Sequence, residues 1–271
     1  MTTADLVQQI KQKKSMLCVG LDVDLEKIPQ HLFTCDDPIF EFNKAIIDAT
    51  ADFAVAYKPN LAFYEAHGAK GWSSLEKTIS FLNTNYPKIY SIADAKRGDI
   101  GNTSRMYAKA FFEDLGFDSV TIAPYMGKDS VEPFLYFPDK HAIMLCLTSN
   151  AGAEDFQLSK TNADNFFFEK VMEQSKTWKN SERLMYVVGA TKPAYFKMIR
   201  KHLPEAFLLV PGVGAQGGNL DEVCQNGMSS NYGLLINSSR GIIYKSSEKD
   251  FAEKAREEAE RLQKVMSTYI K

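Results

Sequence analysis

Eight short apolar runs recur along the chain, and a segment with helical spacing follows each of them. The runs are rich in β-branched and aromatic residues, and they end at Asp22, Asn60, Lys96, Pro124, Ser149, Thr191, Gly214 and Gly241. Strict alternation of strands and helices predicts a parallel sheet, and eight repeats favour an α/β fold closed into a single (β/α)8 barrel. A doubly wound open sheet is the alternative.

The segments between the runs supply the helices. Helical spacing is clearest in 37–51, 74–86 and 247–270. No linker rich in Pro or Gly divides the chain, so residues 1–271 are predicted to form one domain. The longer segments are predicted to be additions after strands one, four and five, and they are 24–37, 125–139 and 150–182.

The overall charge argues against some classes of partner. The 271 residues are 45% hydrophobic and 24% charged, with a formal charge of −2 and a pI near 6.1, so no general affinity for nucleic acid or anionic membrane is expected. No apolar leader or spanning segment is visible, which predicts a soluble cytoplasmic protein. The four cysteines and four histidines are scattered, so neither a disulfide pattern nor metal-ligand spacing is indicated.

Charged residues stand where the predicted strands end. The stretch SIADAKRGDIGNTS carries Asp94 and Lys96 two positions apart, and Lys58 ends the preceding run. Because alternate strand residues share a face and barrel strands converge at their carboxyl ends, we expect these side chains to meet at one mouth. A structural network of salt bridges is the alternative. A lysine held between carboxylates favours its ammonium form, which suits a proton donor better than a Schiff-base nucleophile.

A second pattern indicates a phosphate site. The glycine-rich VPGVGAQGGN follows strand seven, and NSSRG follows strand eight with Arg240. Glycines let backbone N–H groups approach a phosphate, and an arginine adds a rigid fork of donors. Phosphate sites of barrels often lie after strands seven and eight, so the position supports this interpretation over an ordinary turn.

Together these motifs resemble the orotidine 5′-phosphate decarboxylase family in its longer bacterial form. DAKRGDIGNT fits the D-x-K-x-x-D pattern of that family, and PGVGAQGG fits its phosphate loop. The resemblance covers nearly the whole chain and implies decarboxylation of orotidine 5′-monophosphate to uridine 5′-monophosphate, the last step of pyrimidine nucleotide synthesis. It also implies that neither a metal nor an organic cofactor takes part.

The resemblance further implies a role for individual residues. Lys96 is expected to donate the proton that replaces the departing CO₂ on the pyrimidine, and Asp94 is expected to orient Lys96. Lys58 and Asp99 are expected to complete a set of four charged residues around the reacting carbon. The residues that would bind substrate are Asp22, Ile100, Thr103, Ser149, Pro211, Gln216 and Arg240. Asp99, Ile100 and Thr103 match positions contributed by a neighbouring subunit, which implies a homodimer with shared sites.

Two features depart from the shorter members of the family, and two rival functions stay open. Ser239 stands where a glycine is common, and segment 150–182 has no clear counterpart, so it is given no role. One rival is a metal-dependent sugar-phosphate lyase or aldolase that shares the D-x-K-x-x-D pattern. The Lys58 strand end and the Gln216 loop favour the pyrimidine nucleotide instead. The other rival is a catalytically silent barrel that only binds nucleotides, for which Lys96 would be unnecessary.

Overall fold

Eight parallel strands pair in chain order and close into a barrel, in a computed structural model that describes residues 1–161, 164–213 and 217–271. The last strand pairs with the first, which closes the ring and rules out the open sheet. The strands are β1 (Leu17–Gly20), β2 (Ala54–Lys58), β3 (Tyr90–Arg97), β4 (Ser119–Ile122), β5 (His141–Leu147), β6 (Leu184–Val188), β7 (Leu208–Pro211) and β8 (Leu234–Ser238).

The strands form because their apolar side chains are covered on both faces. Strands β1, β2, β4, β6 and β8 are buried along their whole length, between the barrel interior and the surrounding helices. Burial on two sides selects continuous apolar runs instead of alternation, which is the pattern that the sequence shows. The polar residues therefore gather where the strands end.

Twelve helices connect or flank the strands in the described part of the chain. They are α1 (Thr3–Lys13), α2 (Pro38–Thr50), α3 (Ala62–Glu65), α4 (Gly68–Asn85), α5 (Gly101–Lys109), α6 (Lys128–Leu135), α7 (Ala153–Phe156), α8 (Phe167–Ser175), α9 (Pro193–His202), α10 (Leu220–Gly227), α11 (Arg240–Ile243) and α12 (Phe251–Ser267). Short 3₁₀ turns cover Gln30–Thr34 and Ser181–Arg183, and a π-helical turn covers Ala110–Asp114. Among these described helices, none combines the length and apolar character that a bilayer crossing requires.

Helix positions correct one sequence-based prediction and adjust others. Segment 125–139 contains α6, which connects β4 to β5, so it is an ordinary crossover of the barrel and not an addition. The predicted helix 37–51 is confirmed as α2. The helix predicted over 247–270 is α12, which begins only at Phe251. The Phe251 ring stacks on the Phe42 ring of α2, with centroids 5.1 Å apart, so α12 packs beside α2 in the outer layer of helices.

Candidate active site

Four charged residues form a connected set at the carboxyl ends of β1, β2 and β3, which we call the charged array: Asp22, Lys58, Asp94 and Lys96. The Lys58 ammonium lies 2.6 Å from Asp94 Oδ2 and 3.9 Å from Asp22 Oδ1. The Lys96 ammonium lies 2.6 Å from the other oxygen of Asp94, Oδ1. Charges therefore alternate along the array, and Lys58, Asp94 and Lys96 meet at one mouth, as expected from their positions at the strand ends.

The two lysines of the array differ in exposure. The Lys58 side chain is 4% exposed, whereas that of Lys96 is 49% exposed and reaches the open mouth. Burial alone would lower the pKa of Lys58, but Asp94 and Asp22 raise it above its usual range. Burial likewise opposes ionisation of Asp94, yet Lys58 and Lys96 hold its pKa well below the usual range. Lys58 is thus a fixed internal cation, and Lys96 is the cation that solvent and ligands can reach.

Asp22 is held with one carboxylate oxygen unsatisfied. Its backbone carbonyl accepts a hydrogen bond from the Tyr244 hydroxyl at 2.7 Å, and the Tyr64 hydroxyl donates to the neighbouring carbonyl of Leu21 at 2.9 Å. Its Oδ1 is buried without a hydrogen-bond partner in the described structure. A buried carboxylate oxygen without a donor is costly, so this atom is available to accept a hydrogen bond from a ligand.

Strand β3 departs from regular pairing where it carries the array. Ala93 pairs with Val120 and Arg97 with Ile122, so three residues of β3 lie opposite one residue of β4. Within this bulge Lys96 has a φ of +49°, a left-handed conformation that is rare for a lysine. Bulges are frequent beside active sites because they redirect a side chain, and here the bulge turns Lys96 back onto Asp94.

The other three predicted site residues of the stretch DAKRGDIGNT make no ion pair or hydrogen bond to the array among the described residues. Asp99 Oδ1 accepts the backbone N–H of Ile100 at 2.7 Å, and among the described residues Asp99 has no ion-pair partner. Ile100 and Thr103 are exposed at the start of α5. Asp99 thus forms no ion pair with the array of its own chain in the described structure, and its expected contribution to the site of a neighbouring subunit stays a prediction.

The end of β5 carries Ser149 and is supported by the segment to which the sequence assigned no role. Gly189 of the next strand end lies so close to Ser149 that an added Cβ would stand 2.8 Å from the serine backbone N and Cβ. Gln157, just after α7, accepts the Thr148 backbone N–H at 2.7 Å and donates to the Thr148 hydroxyl at 2.9 Å. Part of segment 150–182 thus fixes the backbone beside Ser149.

The predicted phosphate end is present only in part in the described structure. Pro211 ends β7, and Gly212 and Gly217 have φ values of +99° and +81° on either side of residues 214–216. Gln216 lies outside the described residues, and its role stays a prediction. Arg240 begins α11 with an exposed side chain.

Strand β1 accommodates the unusual serine before Arg240. A Cβ on Gly20 would stand 2.5 Å from the Ser239 Cβ, so only a glycine leaves room at this point of the strand. The Ser239 hydroxyl donates to the Gly20 carbonyl at 3.3 Å. The serine therefore turns toward β1.

Sequence reasoning missed two side chains that contact the site. Thr121 of β4 donates a hydrogen bond to Asp94, and Gln157 holds Thr148. Thr121 stands in the apolar run SVTIAP, where threonine is an ordinary strand residue, so its only signal was its place near a strand end. Gln157 carried no signal. Within residues 1–161, 164–213 and 217–271, no three His, Cys, Asp or Glu side chains lie together as a metal-binding group.

A closed barrel of parallel strands with its charged residues gathered at one mouth is the architecture of the (β/α)8-barrel enzymes. Residues 15–255 match the model of the orotidine 5′-phosphate decarboxylase / HUMPS family. The chain belongs to this family. The orotidine 5′-phosphate decarboxylase of Flavobacterium johnsoniae is 68% identical over 270 residues, which cover 100% of this chain and 98% of that protein.

More distant relatives agree. The Bacteroides fragilis protein of the same name is 58% identical over 271 residues, covering 100% of this chain and 99% of that protein. The solved structure of Leishmania donovani OMP decarboxylase superposes with a TM-score of 0.81 and 35% identity, covering 97% of this chain and 99% of that one. The fold and the family therefore rest on independent similarities over nearly the whole length.

Proposed function

We propose that the mouth of this barrel decarboxylates orotidine 5′-monophosphate to uridine 5′-monophosphate in pyrimidine nucleotide synthesis. The observation that carries the proposal is the charged array, in which one exposed ammonium, that of Lys96, is fixed on a carboxylate at the ends of the strands. The family and the named relatives supply the substrate. The array supplies the chemistry.

In the proposed reaction the bond between C6 of the pyrimidine and its carboxylate breaks, and the electron pair stays on C6 as CO₂ departs. The Lys96 ammonium faces this carbon, stabilises the developing negative charge, and transfers its proton to C6. Lys96 is left neutral and regains a proton from water. Asp94 orients Lys96, and Lys58 keeps Asp94 ionised, so the chain's own residues supply the proton and the charge stabilisation.

The remaining side chains are proposed to bind the nucleotide. The unsatisfied Asp22 oxygen accepts a ribose hydroxyl, with Lys58 beside it. Ser149 reads the pyrimidine ring, and the phosphate lies between the loop after β7 and Arg240, where Pro211 and Gln216 contribute. The phosphate sites of (β/α)8 barrels are frequently formed by the loops after the seventh and eighth strands, which supports this placement.

A second copy of the chain is proposed to complete each site. Asp99, Ile100 and Thr103 would enter the partner's mouth and add the carboxylate that this chain's own array lacks. Exposed apolar side chains support this arrangement. Tyr125, which is 84% exposed, and Met126 follow β4, and the exposed Ile100 and Met106 follow β3, the strand that pairs with β4. A cytoplasmic location is part of the proposal and is testable by cell fractionation.

The direct test follows the absorbance of orotidine 5′-monophosphate with purified protein in excess EDTA. We expect the substrate to be consumed and uridine 5′-monophosphate to form, and we expect Lys96→Ala to lose both kcat and kcat/KM while it stays folded. Turnover by Lys96→Ala within about tenfold of the parent would reject Lys96 as the donor. Activity that disappears with EDTA and returns with magnesium would favour the metal-dependent sugar-phosphate lyases.

A further inference from the structure

Thr121 lies beneath the charged array and contacts two of its elements at once. Its side chain is 1% exposed, so it cannot reach a ligand in the mouth. Its Oγ1 accepts the backbone N–H of Lys96 at 2.9 Å and donates to Asp94 Oδ1 at 3.0 Å. The Lys96 ammonium donates to the same Oδ1 at 2.6 Å. The three residues therefore form a closed ring of hydrogen bonds.

The bulge in β3 explains why a hydroxyl is needed there. Thr121 is the one residue of β4 that lies opposite the three residues between Ala93 and Arg97, so regular strand pairing cannot satisfy the Lys96 backbone N–H. A buried N–H without an acceptor is costly, and the Thr121 hydroxyl supplies the acceptor. Because that oxygen already accepts from Lys96, its own proton is free to point at Asp94.

We infer that Thr121 is a positioning residue that sets both the backbone and the ammonium of Lys96. The inference rests on the proposed function, in which Lys96 is the proton donor. Lys58 donates to Oδ2 of Asp94, and Thr121 donates to Oδ1, the same oxygen that accepts from the Lys96 ammonium. The same hydroxyl holds Lys96 in its left-handed conformation, which lacks the support of the strand ladder.

The test compares Thr121→Val, which keeps the shape but removes the hydroxyl, with Thr121→Ser, which keeps the hydroxyl. Loss of a hydrogen bond to a charged group should lower kcat of Thr121→Val roughly 10- to 100-fold. KM should stay near the parent value because Thr121 does not touch the substrate. Thr121→Ser should recover most of the parent kcat even though it loses a buried methyl group.

Control variants distinguish loss of the positioning role of Thr121 from a general loss of fold stability. Thr50→Val removes an equally buried hydroxyl on α2, away from the mouth, and should lower Tm while kcat stays unchanged. Thr121→Ala is the second variant should Thr121→Val fail to fold, and the same fall in kcat is expected.

Parent-like kcat in Thr121→Val, or equal losses in the Val and Ser variants, would overturn the positioning role. With Lys96→Ala inactive in the same assay, such a result would reject only the role of Thr121. An active Lys96→Ala would instead reject the proposed mechanism.

Discussion

Replacing Lys58 with methionine should destabilise the fold and change how its stability depends on pH. The Lys58 and Asp94 side chains are 4% and 11% exposed, so the substitution leaves a nearly buried carboxylate without one of its two cations. Breaking such a pair costs about 3 to 5 kcal/mol of unfolding free energy. Lys96 still contacts Asp94 Oδ1, so we expect the lower end of that range, about 3 kcal/mol near pH 7.

The pH dependence follows from the direction of the Asp94 shift. In the parent, Lys58 and Lys96 depress the pKa of Asp94, so its contribution is present above the unfolded pKa and is lost as pH falls. Without Lys58 the pKa of Asp94 rises toward or above the unfolded value, and the variant loses less stability in acid. The gap between the parent and Lys58→Met should therefore be widest near neutrality and should narrow below about pH 5.

Urea unfolding of both proteins from neutral to acid pH measures this gap. Lys77→Met is the matched control, because Lys77 forms an ion pair with Asp37 at 2.9 Å but is 51% exposed. Its loss should cost less than about 1 kcal/mol. A gap for Lys58→Met no larger than the control's, or one that widens toward acid, would refute the account of a buried, paired carboxylate.

Three further predictions concern the phosphate end, the shared site and the thiols. Arg240→Ala should greatly lower kcat/KM for the nucleotide but hardly change it for the nucleoside orotidine. Equal losses for both substrates would make Arg240 structural. Lys96→Ala and Asp99→Ala proteins, unfolded and refolded together, should regain roughly a quarter of the parent activity, because half the dimers then hold one intact site. No recovery in mass-verified mixed dimers would reject the shared site. Of the four free thiols, only the exposed Cys35 should react with a thiol reagent at pH 8 in the folded protein, since burial raises the pKa of Cys18 and Cys224 to about 12. Rapid reaction of a second thiol would contradict the buried placement.

The sequence predicts the barrel and the array because both follow from local patterns. Continuous apolar runs mark strands that are buried on two faces, and the alternation of side chains predicts that Asp94 and Lys96 share a side, although in the structure it is the bulge in β3 that turns Lys96 onto Asp94. Closure of the barrel then brings Lys58 beside them. That residues 1–271 form a single domain stays a prediction.

Other features depend on contacts between distant parts of the chain. The bulge that gives Thr121 its role arises from the register between β3 and β4, which neither run shows alone. Gln157 reaches Thr148 only through the fold of its segment. Helix α6 was missed because it is short and contains Pro133, which usually interrupts a helix.

The left-handed backbone of Lys96 has a consequence for evolution of the chain. A non-glycine residue in this conformation costs about 1 to 3 kcal/mol, and a glycine there would avoid most of that cost. Such a glycine would also take from Asp94 one of its two cations, so relief of the backbone strain and loss of the ion pair change the stability in opposite directions. Selection for heat resistance alone therefore gives no consistent reason to keep the lysine, and a library selected for stability needs an activity screen at every round to retain a working enzyme.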